Sequence, residues 1–110
     1  MEVHKYLGPG YLENVYEQAL SIELESIGIQ HQNQHEVDVK YKDRIIGKTR
    51  LDFLVEDQLV VELKTVEYLL PIHRAQIISY LKATNNSLGL LINFNVPILK
   101  QGIKRVIYSV

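Results

Sequence analysis

The N-terminal part of the chain carries apolar residues at intervals of three and four positions, which is the spacing of one face of an α-helix. A Gly-Pro-Gly segment at residues 8–10 precedes this pattern and Gly28 follows it, so both ends of the pattern favour helix termination. The spacing therefore predicts an amphipathic helix over residues 12–27. Its apolar positions are Leu12, Val15, Tyr16, Ala19, Leu20, Leu24 and Ile27.

Residues 32–55 change from helical spacing to an alternation of apolar and polar positions, which predicts β-strands. A polar turn at residues 42–44 separates two such strands, and their proximity in sequence predicts a hairpin. A polar break at residues 56–58 then leads into a third strand at residues 59–64.

The remainder of the chain predicts a second helix and two more strands. The helix begins at Pro71, where helices tolerate proline, and runs to about residue 83, before two consecutive asparagines. The apolar residues 88–94 predict a buried strand, and residues 103–110 predict a last short strand. The predicted order is therefore helix, three strands, helix, strand, strand.

Length and composition indicate how many domains the chain forms. The chain has 110 residues, of which 46% are hydrophobic and 23% are charged, as is typical of one soluble domain with one core. A domain of this size buries about two thirds of its unfolded surface, which leaves little room for a separate recognition module. We therefore expect a single domain over residues 1–110, with specificity supplied by a homodimer or a protein partner.

Charge and cysteine content narrow the function classes. Lys and Arg total 12 against 13 Asp and Glu, a net charge of -1, so no global charge attracts a polyanion, although clustered metal-binding carboxylates would mask a basic surface. The absence of cysteine excludes disulfides, thiolate catalysis and cysteine-based zinc sites. We find no secretory signal and no apolar run near the roughly 20 residues that span a bilayer. We expect a cytoplasmic protein with no membrane partner.

The third predicted strand brings a carboxylate and an ammonium group onto one face. Successive side chains of a strand point to opposite faces, so Glu62 and Lys64 lie on the same side. If residues 56–58 form a three-residue hairpin loop, Val55 pairs with Leu59, and this register places Asp52 directly opposite Glu62. Their Cβ atoms would then lie roughly 4.5–5.5 Å apart.

Two carboxylates at this spacing repel each other unless a positive charge lies between them. Oxygen ligands without cysteine favour Mg²⁺ or Mn²⁺ over zinc. Lys64 could orient a water molecule or stabilise the charge that develops on an attacked phosphate. The pattern suits phosphodiester hydrolysis.

A solvated sheet face is the alternative interpretation, and geometry alone leaves both open. Cross-strand ion pairs could then explain the charged residues, which are Arg50, Asp52, Glu62 and Lys64. Asp52 and Glu62, however, interrupt apolar runs at residues 51–55 and 59–63, where a buried charge is costly unless it is paired or bound to metal. This detail favours a functional site.

Asp52 followed by Glu62-Leu63-Lys64 resembles the signature of the PD-(D/E)XK nuclease superfamily, with Leu51 in place of the proline of that signature. The segment Gly10-Tyr11-Leu12-Glu13-Asn14-Val15-Tyr16 resembles the motif of its small GxxExxY family. The predicted element order also resembles the core of this superfamily. The resemblance implies an α/β (α+β) fold with a mixed central sheet flanked by helices.

The resemblance also implies roles for individual residues. Glu13, Asp52 and Glu62 would bind Mg²⁺ or Mn²⁺ together with the main-chain carbonyl of Leu63, and Lys64 would be the catalytic lysine. Gln76 and Tyr80 resemble the Q-x-x-x-Y element of RecB-like nucleases, and His73 lies on the same helical stripe. These three residues are candidates for substrate binding, and Gln76 also for catalysis by supporting Lys64.

Each of these residues has a structural alternative. Glu13 could be a solvated charge near a helix N-terminus, where the helix dipole favours acids. Tyr80 could pack in the core with its hydroxyl group hydrogen-bonded, and Tyr16 is better explained as a core tyrosine. Basic residues near the first hairpin turn are more typical of a solvated hairpin than of a phosphate contact. They are Lys40, Lys42, Arg44 and Lys48.

Two functions follow from this pattern. The first is a metal-dependent nuclease that cuts nucleic acid, with DNA favoured over RNA. The alternative is a catalytically silent binding or regulatory module on the same fold, since folds persist after activity is lost. The low overall basicity favours the module, and the intact Asp52, Glu62 and Lys64 favour the enzyme.

Overall fold

The computed structural model describes residues 1–109. Its centre is a five-stranded sheet in the order β1-β2-β3-β4-β5, with helices on both faces. The neighbouring strands pair antiparallel except for β3 and β4, which are parallel. The elements are α1 (Glu2–Leu7), α2 (Glu13–Ser26), β1 (His31–Tyr41), β2 (Arg44–Val55), β3 (Leu59–Lys64), α3 (Pro71–Thr84), β4 (Leu88–Asn93), a short 3-10 helix (Leu99–Gly102) and β5 (Ile103–Ile107).

The connection between β3 and β4 contains α3, as a parallel pair requires a long crossover. The other strand pairs follow one another closely in sequence and are joined by short turns or a single helical turn. The α+β architecture with a mixed sheet and flanking helices is confirmed.

The hairpin between β2 and β3 has the predicted register, because Val55 pairs with Leu59. Glu56 and Asp57 adopt left-handed conformations with φ of 53° and 56°, and the N–H of Gln58 donates to the carbonyl of Val55 at 3.0 Å. Asp tolerates this conformation better than most residues. The short loop fixes which residues of β2 face β3.

Alternation along β3 divides the core between the two faces of the sheet. Val61 and Leu63 pack towards α2, in a cluster with Tyr16 and Leu20, whereas Val60 packs towards α3. The cluster on the α3 side also contains Val37, Leu51, Leu54, Ile77, Tyr80, Leu81, Leu91 and Val106. With apolar side chains on both of its faces, β3 is a central strand, and the two charged residues it carries are unusual.

The structure differs from the sequence prediction at four places. Helix α1 was not predicted, because six residues are too few to show helical periodicity; Val3 anchors it in the core, and His4 Nε2 lies 2.8 Å from the carbonyl oxygen of Val96. The 3-10 helix was also missed. Strand β4 ends at Asn93 rather than residue 94, and β5 ends at Ile107, while Val110 of the predicted strand lies outside the described residues.

None of the helices within residues 1–109 combines the length and the apolar character that crossing a membrane requires.

Candidate active site

Asp52 and Glu62 meet where the ladder between β2 and β3 ends. The last paired residues of that ladder are Phe53 and Val61. Beyond this pair, the N–H of Asp52 donates to Glu62 Oε1 at 2.7 Å, and the N–H of Leu63 donates to Asp52 Oδ2 at 2.7 Å. Each carboxylate therefore binds the main chain of the opposite strand, and the two strands are interlocked through their acidic side chains.

Glu62 is the one acidic side chain among residues 1–109 that is buried, with an exposed fraction of 4%. Burial and the neighbouring Asp52 carboxylate raise the pKa of Glu62 to about 8, against the smaller opposing effects of the Asp52 N–H and of Lys64. A buried carboxylate beside a second carboxylate is unfavourable unless a proton or a cation neutralises one of them.

The strand β2 is irregular at Asp52. Leu51 and Phe53 are both fully buried, but they pack on opposite faces of the sheet, whereas regular alternation would place them on the same face. Pairing with β1 is present on either side, at His35 with Leu51 and at Asn33 with Phe53. The distortion places the neighbours of Asp52 on different faces, with Leu51 on the α3 side of the sheet and Phe53 on the α2 side.

Gln34 lies on β1 opposite this irregular position and has a left-handed backbone, with φ of 51°. Its Nε2 donates to Glu17 Oε1 and lies 3.4 Å from Asp52 Oδ1. Gln34 therefore connects α2 with Asp52. The sequence prediction missed Gln34 and Glu17 because nothing in an alternating pattern marks a residue whose backbone leaves the strand conformation.

Lys64 projects towards α3 and is half-buried. Its Nζ donates to Gln76 Oε1 at 3.1 Å, and Gln76 Nε2 donates to the Tyr80 hydroxyl at 3.0 Å. Burial raises the pKa of Tyr80. Gln76 thus braces Lys64, and Tyr80 is a core tyrosine that in turn braces Gln76.

Glu13 is the first residue of α2 and faces the same group of charges. Partial burial of its carboxyl group raises the pKa of Glu13, the charge of Lys64 opposes this shift, and the charge of Asp52 adds to it. The Glu13 residue as a whole remains exposed. The charges of Lys64 and Asp52 therefore both act on the Glu13 carboxyl group.

The segment before α2 explains the spacing of glycine, glutamate and tyrosine in this region. Gly10 has a φ of 111°, a conformation that other residues rarely adopt. Tyr16 is fully buried, stacks on Phe94 with ring centroids 4.3 Å apart, and donates its hydroxyl hydrogen to the carbonyl of Gly8. The glycine and the tyrosine fix the entry to α2, which begins at Glu13.

His73 lies at the start of α3, where its Nδ1 accepts a hydrogen bond from the N–H of Leu70 at 3.0 Å. This bond leaves Nε2 as the other ring nitrogen available for a contact. The charge of His73 also acts on the Glu13 carboxyl group, where it lowers the pKa.

Asn93 is a second residue that the sequence prediction missed. It is buried at the end of β4, where its Nδ2 donates to the carbonyl of Val66 at 2.8 Å and its Oδ1 accepts from the N–H of Val66 at 3.1 Å. It pairs with Lys64 across the parallel strands. Asn93 therefore fixes the chain that follows Lys64, and an isolated asparagine after an apolar run gives no sequence signal for this function.

The donor set of the site fits a hard divalent cation. Asp52 and Glu62 supply carboxylate oxygens, and Leu63 lies beside them because its N–H donates to Asp52. Within residues 1–109, however, no group of three or more acidic or histidine side chains forms a ready-made metal site. Mg²⁺ is commonly held by one or two carboxylates and keeps several water molecules, so the pair satisfies its requirement.

A family model described as the PD-(D/E)XK nuclease superfamily matches residues 1–106. The structure is similar to that of SSO0001, with a TM-score of 0.68 and 17% identity over 88% of this chain and 50% of that one. It is also similar to an alkaline exonuclease (LHK-Exo) from Laribacter hongkongensis, with a TM-score of 0.62 and 14% identity over 87% of this chain and 56% of that one.

The chain thus spans about half the length of these solved structures, and at such low identity the likeness concerns the fold. No curated protein matches the sequence.

Proposed function

Because the chain belongs to the PD-(D/E)XK nuclease superfamily, we propose that it hydrolyses phosphodiester bonds in nucleic acid with Mg²⁺ or Mn²⁺. The proposal rests on the pair of Asp52 and Glu62, whose side chains link β2 and β3. Asp52 is half-buried and Glu62 is buried, and Lys64 lies beside them with its ammonium group bonded to Gln76. A solvated sheet face, the structural alternative, does not explain a buried glutamate whose pKa is raised to about 8.

Asp52 and Glu62 would hold the cation, with the carbonyl of Leu63 and the carboxylate of Glu13 as further ligands. Each member of the pair uses one oxygen for a main-chain N–H of the opposite strand, which fixes the direction of its second oxygen. When bound, Mg²⁺ or Mn²⁺ supplies activation of a water molecule and neutralisation of charge on the phosphate.

Lys64 would stabilise the charge that develops on the phosphate oxygens or orient the attacking water molecule. The bond from its Nζ to Gln76 Oε1 restricts the ammonium group, so less side-chain entropy is lost when the substrate binds. Gln76 is in turn held by Tyr80. Gln76 is thus a positioning residue in this proposal, and Tyr80 supports it, whereas His73 Nε2 would contact the substrate from the start of α3.

The finer assignment to the GxxExxY family rests on residues 10–16. The motif has a physical explanation in this chain, because Gly10 and Tyr16 fix the start of α2 and Glu13 acts electrostatically on Asp52 and Lys64. We extend the proposal to one nuclease domain over residues 1–110 with DNA as its substrate. A second copy or a protein partner would supply the contacts that a domain of this size lacks.

A cleavage assay tests the proposal. The purified protein is incubated with end-labelled single-stranded DNA, duplex DNA and RNA in Mg²⁺, in Mn²⁺ and in EDTA, beside Lys64→Ala prepared in the same way. The proposal predicts metal-dependent cleavage of at least one substrate that Lys64→Ala lacks. Cleavage that persists in Lys64→Ala contradicts it. No cleavage of any substrate by the wild type also contradicts it and supports the silent binding module.

A further inference from the structure

The hairpin of β1 and β2 projects beyond the core of the molecule. The last buried residues of its two strands are Val37 and Leu51, and every residue from 38 to 48 is exposed. This segment, here called the hairpin arm, is paired up to the turn, with Tyr41 opposite Arg44, and its register shifts between Val39 and Lys40. Its residues 38–40 line a groove together with α3, and the remainder of the arm is exposed.

The hairpin arm and the strand segments at its base are positive, although the chain as a whole has a net charge of -1. Five basic residues and three acidic residues lie between residues 36 and 50, a net charge of +2, so the rest of the chain carries -3. The basic residues are Lys40, Lys42, Arg44, Lys48 and Arg50. Positive charge is therefore concentrated on the part of the molecule that protrudes.

The basic residues of β2 lead directly to the candidate active site. Lys48 and Arg50 occupy alternate positions of β2 that precede Asp52 in the sequence, and both approach Glu36, at 3.0 Å and 3.8 Å. Asp38 lies opposite Lys48, so Glu36 and Asp38 balance these two cations, and the net positive charge comes from Lys40, Lys42 and Arg44 against Asp43. Such exposed ion pairs contribute little to stability, so the cations can exchange them for contacts with phosphate.

The length of β2 between the hairpin turn and the candidate active site matches that of a short duplex segment. Arg44 is eight residues from Asp52, which corresponds to about 26 Å of extended strand. A duplex of about eight base pairs has the same length, at ~3.4 Å per base pair. The major groove, about 12 Å wide, admits a two-stranded β-ribbon.

We propose that the hairpin arm binds the phosphate backbone of duplex nucleic acid about eight base pairs from the bond that Asp52 and Glu62 cleave. The inference rests on the proposed function for the position of the cleaved bond, but binding can be measured without cleavage. The basic side chains contact phosphates, and the exposed apolar side chains between them contact base and sugar edges in the groove. The apolar residues are Val39, Tyr41, Ile45 and Ile46.

A second copy of the chain is the other occupant that these apolar residues would fit. A symmetric contact would bring two arms with the same positive charge together, and like charges oppose that association. Lys42 also lies over the ring of Tyr41, 5.5 Å from its centroid, so cation and aromatic ring are presented together. Charge therefore favours a polyanion over a second arm.

Fluorescence anisotropy with a fluorescein-labelled 30-base-pair duplex tests the proposal in Ca²⁺, or with Lys64→Ala as the parent protein in Mg²⁺, so that no substrate is consumed. The arm variant combines Lys40→Ala, Lys42→Ala and Arg44→Ala. The control variant removes the same charge from the far edge strand β5 and from the 3-10 helix before it, and combines Lys100→Ala, Lys104→Ala and Arg105→Ala, all exposed. Circular dichroism and a thermal melt establish that each variant is folded.

The arm variant should bind the duplex at least roughly tenfold more weakly at about 0.1 M salt, and the slope of log K against log salt should fall by about 2 to 3. The control variant should change both quantities much less. Equal losses in the two variants would reduce the effect to total charge and overturn the proposal. An arm variant that binds like its parent would overturn it too, as would a dimer that dissociates on these substitutions while duplex affinity is unchanged.

The result separates this proposal from the proposed function. If the wild type cleaves DNA and the arm variant binds DNA normally, only the proposal for the hairpin arm is contradicted. If the wild type does not cleave DNA but needs the arm to bind it, only the catalytic proposal is contradicted.

Discussion

Asp52 and Glu62 exchange hydrogen bonds across β2 and β3, since Glu62 Oε1 accepts from the N–H of Asp52 and Asp52 Oδ2 accepts from the N–H of Leu63, both at 2.7 Å. The carboxyl groups therefore link the two strands and lie together in a partly buried site. Burial and the charge of Asp52 raise the pKa of Glu62, so ionisation of both carboxyl groups is unfavourable unless a cation binds between them.

The raised pKa of Glu62 predicts an unusual dependence of stability on pH. Between pH 4.5 and about 8, the folded protein retains a proton on Glu62 that the unfolded chain has lost, so the free energy of unfolding falls as the pH rises. Thermal melts in EDTA should show this decrease for the wild type. Glu62→Gln should flatten the decrease, and at pH 8 it should be at least as stable as the wild type.

Glu36→Gln is the matched control for this experiment. Lys48 lowers the pKa of the exposed Glu36, so the linkage of Glu36 to stability lies below pH 4.5 and has the opposite sign. The slope between pH 5 and 8 should remain that of the wild type. If Glu62→Gln retains the same slope as well, the carboxyl group of Glu62 does not hold the proton.

Metal binding should stabilise the wild type and depend on Asp52. A ligand that binds only the folded state stabilises it by about 2.7 kcal/mol at a concentration one hundred times its dissociation constant. Asp52→Asn should lose most of the increase in melting temperature in Mg²⁺ or Mn²⁺, although without metal it relieves the repulsion at Glu62. Calorimetric melts with and without metal measure both effects. Equal metal-induced increases in the two proteins would show that the cation binds elsewhere.

Lys64→Ala should separate binding from catalysis. An ammonium group donates hydrogen bonds and cannot be a metal ligand, so the variant should keep its metal-induced stabilisation. Its single-turnover cleavage rate should fall by about 10² to 10³, in the range seen when a charge-stabilising group is removed. Gln76→Ala should give a smaller loss in the same direction, because it removes only the brace on Lys64.

Lys82→Ala is the control for Gln76→Ala, because Lys82 lies at an exposed position of α3, the helix that carries Gln76. This control variant should cleave at the wild-type rate. A Gln76→Ala variant that matches Lys82→Ala would show that the bond between Gln76 and Lys64 does not matter for the rate.

Substitutions of Gln34 distinguish the effect of its backbone conformation on stability from the effect of its side chain on the cleavage rate. Its left-handed φ of 51° costs roughly 1 kcal/mol for a residue with a side chain, whereas glycine adopts it readily. Gln34→Gly should therefore be at least as stable as Gln34→Ala in urea unfolding. Both variants lose the contacts with Glu17 and Asp52, so both should cleave more slowly than the wild type, by a similar factor.

The outcome that would contradict this account of Gln34 is a cleavage rate that follows stability, with Gln34→Gly as active as the wild type. The strained backbone alone would then be relevant.

The register of β2 and β3 could be predicted from sequence because loop length determines pairing in a hairpin. The pairing of Val55 with Leu59 is confirmed, and the proximity of Asp52 and Glu62 follows from it. Alternation likewise predicted that Glu62 and Lys64 share a face, and helical spacing predicted that Gln76 and Tyr80 would be neighbours. These relationships depend on loop length and on the period of a strand or a helix, and both can be read from the sequence.

Relationships that depend on tertiary packing could not be predicted. Gln34 and Asn93 come near the site through a distorted strand and a loop, and neither conformation has a sequence period. Helix α1 owes its position to Val3 in the core and to His4, rather than to a pattern of its own. The hairpin arm was expected to be simply solvated, because its projection is evident only once the extent of the core is known.

The most direct test of the central claim is the rate of cleavage of one labelled DNA substrate as Mg²⁺ is titrated, measured for the wild type, Asp52→Asn and Lys64→Ala. The claim is that Asp52 and Glu62 hold the cation and that Lys64 acts beside it. The wild-type rate should rise with Mg²⁺ and saturate, Asp52→Asn should stay near background, and Lys64→Ala should saturate at the same Mg²⁺ concentration with a rate at least about 10² lower. Wild-type activity that is independent of Mg²⁺, or equal activity in the three proteins, would contradict the account.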